Sequence, residues 1–320
     1  MTIASRLEED GLARFIGTEF VDIREENGQQ CKVEKTHGQI AIVTGASSGI
    51  GKAVARKLLE RGYRVHAAAR RTDAMEDLAL LGARVHYLDL TKPETIEALV
   101  KSVLAEGDRI DLLVNNAGYG FYGAVEDVPM ADARKQMEVN VFGLARAVQL
   151  VLPSMRRRGR GRILNVSSIG GKIWSPLGAW YHASKFAVEG FSDCLRNELR
   201  PFGISVVVIE PAGTVTEWTG VALDNARNVS GSGPYATILH GAEAMFASER
   251  GQQSADDCAS VIVHAATVAK PKARYATSPA ARVILFVRWL LSDRAFDGLL
   301  GRLFKIPKHP RGVDGESTPH

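Results

Sequence analysis

From residue 39 onward the chain alternates short apolar runs with stretches in which apolar residues recur every three or four positions. The run QIAIVTG opens the series, with the length and continuity of a strand buried on both faces. A helical pattern from Ile50 to Arg61 stops at Gly62, and a second strand runs from Arg64 to Ala69, which makes a βαβ unit. The rhythm continues with a helix near Ala74 to Leu81, the strand RVHYLDL, a helix from Pro93 to Leu104 and the strand DLLVNNAG. Pro93 suits a first helical turn, where its missing amide hydrogen is not needed. A long helical pattern from Met130 to Arg157, the strand RILNVSS, a helix from Tyr181 to Arg200 and the strand ISVVVIEP follow. Six strand signals alternating with helices predict a doubly wound parallel sheet.

The ends of the chain break this rhythm. Residues 1–38 are polar and acidic with weak periodicity, and read as an appendage with a short helix around Leu7 to Phe15 and Phe20. After Pro211, Gly, Ser, Asn and Pro gather between Gly220 and Pro234, so a mobile loop over residues 214–235 is expected, placed to close over a substrate. Helices from Tyr235 to Arg250 and Ala255 to Val268 follow, then a last strand at Ala273 to Ala276. The tail PAARVILFVRWLL is apolar but interrupted by Arg282 and Arg288, and is shorter than the about 20 residues of a membrane span. Its continuation carries Phe296, Leu299, Leu300, Leu303 and Phe304 at helical spacing, which leaves core or substrate cap, subunit contact and membrane-surface docking as roles. The expected organisation is a single α/β Rossmann-type domain of about seven strands at 39–278, with C-terminal helices and a polar tail at 279–320.

The composition is that of a globular protein: 45% hydrophobic, 24% charged, net charge +4 over 320 residues. The positive charge is densest from Met155 to Arg162, the end of a helix and a turn, so no nucleic-acid partner is expected. Three cysteines, Cys31, Cys194 and Cys258, lack CxxC spacing, and no basic segment leads into an apolar one at the start. A reducing, cytoplasmic location is the expectation. The eight histidines form no pair at ligand spacing, so no metal is expected. His66, His86 and His264 read as partly buried structural residues, and His182 as either structural or facing the substrate entrance.

The candidate chemistry lies in TGASSGIG and YHASK. TGASSGIG stands between a strand and a helix, the setting of a phosphate-binding loop. Gly45 would permit the tight turn, Gly49 and Gly51 the close approach of a pyrophosphate, and the helix amides near Ile50 would meet its charge. The second strand ends in Arg70 and Arg71, with no acid before Asp73. That pair fits the 2′-phosphate of NADP, and the carboxylate that would select NAD is missing. Tyr181 and Lys185 are four apart on one helix face, close enough for the ammonium to favour a phenolate over a phenol that ordinarily titrates near ~10. Ser168 precedes Tyr181 by thirteen residues.

These motifs, with NNAG at 115–118 and PAGTVT at 211–216, resemble the compact short-chain dehydrogenase/reductases, from about Gly38 to Thr216. The pieces YGFYG, IGGKIW and EPAGTVTEW resemble the branch with hydroxysteroid and retinol dehydrogenases. The resemblance implies hydride transfer between a nicotinamide and a carbonyl or alcohol carbon, with Asn140, Ser168, Tyr181 and Lys185 as the catalytic tetrad. Tyr181 would be the general acid or base, and Ser168, rather than Ser167, would bond the substrate oxygen. Lys185 would lower the tyrosine pKa and hold the nicotinamide ribose, while Asn140 would keep a water in the proton relay. On the cofactor side the resemblance implies Gly45, Ser47, Ser48, Gly49, Ile50 and Gly51 at the phosphates and Arg70 and Arg71 at the 2′-phosphate. It also implies Asp89 and Leu90 at the adenine, Asn115, Asn116, Ala117 and Gly118 beside the adenosine, and Pro211, Gly213, Thr214 and Thr216 at the carboxamide. The family often has Pro followed directly by Gly where this chain has Pro211, Ala212, Gly213.

Tyr119, Phe121, Tyr122, Ile173, Trp174, Pro176, Leu177, Trp180 and Trp218 surround these motifs and favour a lipophilic ketone, aldehyde or alcohol of steroid, retinoid or acyl type. A homodimer or homotetramer is the family expectation, and peripheral membrane contact through the C-terminal helices is a further one. The alternative reading is a catalytically idle NADP(H)-sensing or membrane-peripheral protein on the same fold.

Overall fold

The computed structural model describes residues 38–246 and 252–306 in full, together with the backbone of two strands, β1 (Phe20–Glu26) and β2 (Gln29–Glu34). β1 and β2 pair antiparallel, so Phe20 begins a strand where a helix is expected. The sequence signal for such a pairing is Asn-Gly between two strand-length runs, a dipeptide that favours hairpins. The expected helix at Leu7 to Phe15 lies outside the described residues.

Seven parallel strands form the central sheet: β3 (Ile40–Thr44), β4 (Arg64–Ala69), β5 (Arg84–Tyr87), β6 (Leu112–Asn115), β7 (Gly161–Val166), β8 (Ile204–Glu210) and β11 (Arg274–Ala276). Their order across the sheet is β11-β8-β7-β6-β3-β4-β5, so the direction of winding reverses between β3 and β6. Alternate residues of each strand enter separate cores. Ala41, Val43, Leu112 and Val114 pack on one face, Ile40, Ile42 and Leu113 on the other, which is why these strands read as continuous apolar runs.

Helix α1 (Gly49–Glu60) buries Gly51, Val54, Ala55 and Leu58 on the first face and ends at Gly62, whose φ of 81° is left-handed. Helix α2 (Glu76–Leu80) follows β4, and α3 (Pro93–Ala105) buries Ile96, Leu99, Val100 and Val103 on the second face. The expected single helix from Met130 to Arg157 is divided into α4 (Met130–Met137), a π turn (Glu138–Gly143) and α5 (Leu144–Arg157). Gly143 in that turn lies so close to Leu90 that a Cβ would stand 2.6 Å from the leucine Cβ. Helix α6 (Ala179–Leu199) carries Tyr181 and Lys185.

Beyond β8 the structure departs from expectation. A short parallel ladder joins β9 (Thr214–Val215) to β10 (Gln253–Ser254), and the expected loop at Gly220 to Pro234 is mostly helix α7 (Glu217–Ser230). Thr216 caps α7 by accepting from the Trp218 amide, and Ala222, Ala226 and Ser230 form its buried stripe. Small residues at helical spacing bury a face without strong hydrophobicity, so composition there resembles a loop. Helices α8 (Ala236–Phe246), α9 (Ala255–Thr267), α10 (Pro279–Leu290) and α11 (Asp293–Leu303) complete the fold. The expected helix to Arg250 passes outside the described residues after Phe246. Phe296, Leu300 and Phe304 are buried with Tyr122, Tyr181 and Leu239 in a third core, so the last helix packs into the core that holds Tyr181. Among the described residues no helix is long and apolar enough to cross a membrane.

Candidate active site

At the end of β3, Gly45 has φ 69° and donates its amide to Ala68 O at 2.8 Å. A Cβ there would meet Ala117 Cα at 2.8 Å, and a Cβ on Gly51 would stand 2.3 Å from both Asn116 Nδ2 and Gly45 O. No other residue fits either place. Asn116 donates from Nδ2 to Thr44 O (3.0 Å) and Gly45 O (3.3 Å), while Thr44 Oγ1 accepts from the amides of Asn116 and Ala117. The end of β6 thereby fixes the turn after β3 at the point where winding reverses. No side chain caps α1, and Ser47, Ser48 and Ile50 are half-buried along the turn. Thr216 closes its far side: a Cβ on Gly49 would lie 3.1 Å from the threonine methyl. A pre-shaped backbone cradle at an uncapped helix start fits the pyrophosphate of a dinucleotide.

Arg70 and Arg71 are exposed where β4 ends. Arg71 donates to Ser48 Oγ (3.1 Å) and Glu217 Oε2 (3.0 Å), and so spans from the glycine turn to α7. Asp89 accepts from the amide and hydroxyl of Thr91, and Leu90 is buried against Gly143. Asn115 does not face the cleft. Its amide donates to Asn165 Oδ1 (3.0 Å), and Asn165 donates to Ser192 Oγ (2.9 Å), a buried polar chain tying β6 to β7 and α6. Thr214 Oγ1 donates to Ala212 O (3.1 Å) and accepts from Gln253, while Gly213 O accepts from the Gln253 amide. Pro211 O accepts from the Ile169 amide (2.9 Å).

Ser168, Tyr181, Lys185 and Asn140 come together at the ends of β6 and β7. Ser168 stands near the Tyr181 phenol, and its Oγ accepts from the Gly170 amide (3.0 Å) and donates to Pro211 O (3.4 Å). Tyr181 is 7% exposed, and burial pushes its phenol up to about 12 against the opposing influence of the Ser168 hydroxyl. The expected lowering by Lys185 is absent from this balance: the ammonium donates to Val166 O (2.9 Å) and stands 5.9 Å from the phenol ring centre. Burial also lowers Lys185 to about 8, partly offset by Glu189. Asn140 donates to Tyr119 O and Ser184 Oγ and accepts from the Tyr119 amide. A Cβ on Gly118 would lie 3.1 Å from Asn140 Oδ1 and 3.7 Å from Lys185 Nζ, so these three meet. His182 is buried, paired through Nδ1 with Gly170 O and through Nε2 with Ser175 Oγ (both 2.9 Å), and serves the wall rather than the entrance.

Aromatic rings cover Tyr181. Trp218 lies 5.0 Å and Tyr122 5.7 Å from it between ring centres, and Phe246 packs edge-on to Tyr122. The last helix is tied to the same wall by Trp174, which donates to Asp297 (2.8 Å) and meets Phe296 edge-on. Reading Trp218 as part of a loop misses its place over Tyr181. The signal for it was the cap and first turn TEW after β9, with small residues repeating at helical spacing beyond.

Residues 39–226, more than half of the chain, match the family model described as short chain dehydrogenase. The chain belongs to the short-chain dehydrogenase/reductase family. It is 33% identical over 261 residues to a probable short-chain type dehydrogenase/reductase of Helicobacter pylori, covering 81% of this chain and 96% of that one. An NADPH-dependent 3-dehydrocapnine reductase of Ornithobacterium rhinotracheale is 33% identical over 80% of this chain and 94% of its own. A 3-ketodihydrosphingosine reductase of Bacteroides thetaiotaomicron is 40% identical over 60% of this chain and 68% of its own. Among solved structures, a short-chain dehydrogenase from Streptomyces avermitilis superposes with TM-score 0.71 at 32% identity, covering 84% of this chain and 97% of that one. A family member from Burkholderia phymatum in complex with NAD has TM-score 0.69 at 25% identity, covering 82% and 96%. A metagenomic short-chain oxidoreductase in complex with NADP has TM-score 0.59 at 29% identity, covering 75% and 96%. The protein is an oxidoreductase of this family, whose structural relatives bind NAD or NADP.

Proposed function

We propose that this short-chain dehydrogenase/reductase interconverts a lipophilic ketone or aldehyde and its alcohol with NADP(H), using Tyr181 to move the proton. The observation that carries the reading is the meeting of Ser168, Tyr181 and Lys185 beneath Trp218, Tyr122 and Phe246. When bound, the nicotinamide supplies or accepts the hydride. Tyr181, protonated at neutral pH and with its pKa raised further by burial, gives its proton to the developing alkoxide. Ser168 donates a second hydrogen bond to that oxygen, aimed where charge develops. Lys185 places a positive charge beside the phenol as the proton leaves, and Asn140 fixes the Tyr119 backbone that walls this corner.

The turn from Gly45 to Gly51 would hold the pyrophosphate, with Asp89 and Leu90 beside the adenine and Thr214 and Thr216 near the carboxamide. Arg71 supports NADP over NAD, because it stands at Ser48 in the turn with only the exposed Glu217 to displace. Arg70 adds positive charge, and one relative is named NADPH-dependent. Residues 39–278 carry both cofactor and tetrad, with the segment from 279 completing the cap. The aromatic surround supports an apolar substrate, in keeping with a relative named for 3-ketodihydrosphingosine.

NADPH oxidation measured across long-chain 3-ketones, steroid ketones, retinal, fatty aldehydes and small polar carbonyls tests the substrate class. Turnover should concentrate in the apolar compounds. Turnover confined to small charged carbonyls would reject the lipophilic assignment.

A further inference from the structure

Helix α10 turns its apolar side toward water. Ala281 is buried, but Val283 is 61%, Phe286 58%, Trp289 78% and Leu290 65% exposed. At ~100° per residue these four fall with the exposed Arg282 in one arc of roughly 120°. Phe286 and Trp289 lie side by side, their ring centres 5.9 Å apart. A continuous stripe of this kind marks a contact rather than scattered surface.

The charge around the stripe identifies the partner. Residues 279–306 carry five Lys or Arg and two Asp, a net +3 within a chain of net +4. Arg282 lies within the stripe, and Arg294 and Arg302 are exposed on the next helix. A second copy placed face to face would set this charge against itself. An anionic bilayer surface complements both features, receiving the rings among its acyl chains and the guanidinium groups among its headgroups. A helix of twelve residues is too short to span, and its inward side is engaged by the fold, with Arg288 stacked on Trp174 at 4.5 Å and bonded to Asp293.

We propose that the outward face of α10 docks the protein peripherally on an anionic lipid surface. The face contains none of the residues assigned to catalysis or cofactor binding, so the docking stands apart from the reductase reading.

Cosedimentation of the full chain with vesicles of phosphatidylcholine, and of phosphatidylcholine mixed with phosphatidylglycerol, tests the proposal at low and high salt. Phe286→Ser with Trp289→Ser is the informative double variant, since both side chains are exposed; its melting temperature and NADPH affinity verify that the fold is kept. Deleting the chain from 279 is unsuitable because it also removes the buried Phe296, Leu300 and Phe304. The wild type should partition onto the mixed vesicles, less so at high salt and least onto phosphatidylcholine alone, with the double variant weaker by about ten-fold or more. Three results would each overturn the proposal: no partitioning by the wild type, equal partitioning by the double variant, or no preference for anionic lipid. Loss of an oligomer on double substitution, with no vesicle binding by the wild type, would assign the face to a second copy instead.

Discussion

The turn from Gly45 to Gly51 is held at its main-chain atoms, the Gly45 amide donating to Ala68 O and the Asn116 side chain to Thr44 O, whereas the cap above Tyr181 is held by contacts between side chains. In the turn a single added methyl collides with main-chain atoms. In the cap, Tyr122, Trp174, Trp218, Phe246 and Phe296 come from five separate segments and pack in one cluster, with ring contacts from Tyr122 to Trp218 and Phe246 and between Trp174 and Phe296. The turn tolerates almost no change of shape, while the cap can alter its lining and leave the chemistry in place. A protein built this way can keep one reaction and vary its substrate.

Substitutions in the two regions should therefore fail differently. Gly51→Ala forces a Cβ against Gly45 O and Asn116 and should weaken NADPH binding about 100-fold, an overpacking cost of ~1–3 kcal/mol, read by titration. Gly190→Ala, where a Cβ meets nothing within 4 Å, is the matched control and should raise the melting temperature slightly. Unchanged affinity in Gly51→Ala would break the contrast. Arg71→Ala removes the charged donor beside Ser48 and should reduce the preference for NADPH over NADH by tens of fold, the size of about one or two charge-assisted bonds. Equal weakening of both cofactors would show that Arg71 does not read the 2′-phosphate.

Trp218→Ala uncovers Tyr181 without touching the turn, and should raise KM for an apolar substrate about ten-fold with a smaller change in NADPH affinity. A loss confined to cofactor binding would place Trp218 in the wrong region. The pH dependence of carbonyl reduction should give the smallest effect. Lys185, lowered by burial to about 8, is an ammonium below that pH and loses its charge above it, while Tyr181 at about 12 stays protonated throughout. The rate should be level near neutrality and fall a few-fold through about pH 8; a level profile to pH 10 would remove Lys185 from the proton-transfer step.

The same contrast explains what was legible in the sequence. Strands buried on both faces leave continuous apolar runs, and the turn at Gly45 to Gly51 is a local motif, so the sheet and this cradle could be read from spacing alone. Tyr181 and Lys185 share a helix face by the same local geometry. Helix α7 was hidden because Ala222, Ala226 and Ser230 bury a face with little hydrophobic signal. The π turn at Glu138–Gly143 depends on Asn140 reaching Tyr119 and Ser184, contacts distant in sequence, and an unbroken helical pattern does not announce it. Burial likewise decides the Tyr181 phenol, where spacing shows only its nearby cation. The pairing of β1 with β2 did carry a readable sequence signal in the Asn-Gly dipeptide between them, obscured by the polar composition around it.

The central claim is that Tyr181 transfers the proton beside a bound nicotinamide. It is tested most directly by comparing the wild type with Tyr181→Phe, measuring NADPH affinity and single-turnover NADPH oxidation with the best ketone from the substrate screen. The variant should bind NADPH within a few-fold of the wild type and oxidise it about 100 to 10,000 times more slowly. Oxidation at a rate comparable to the wild type would contradict the assignment.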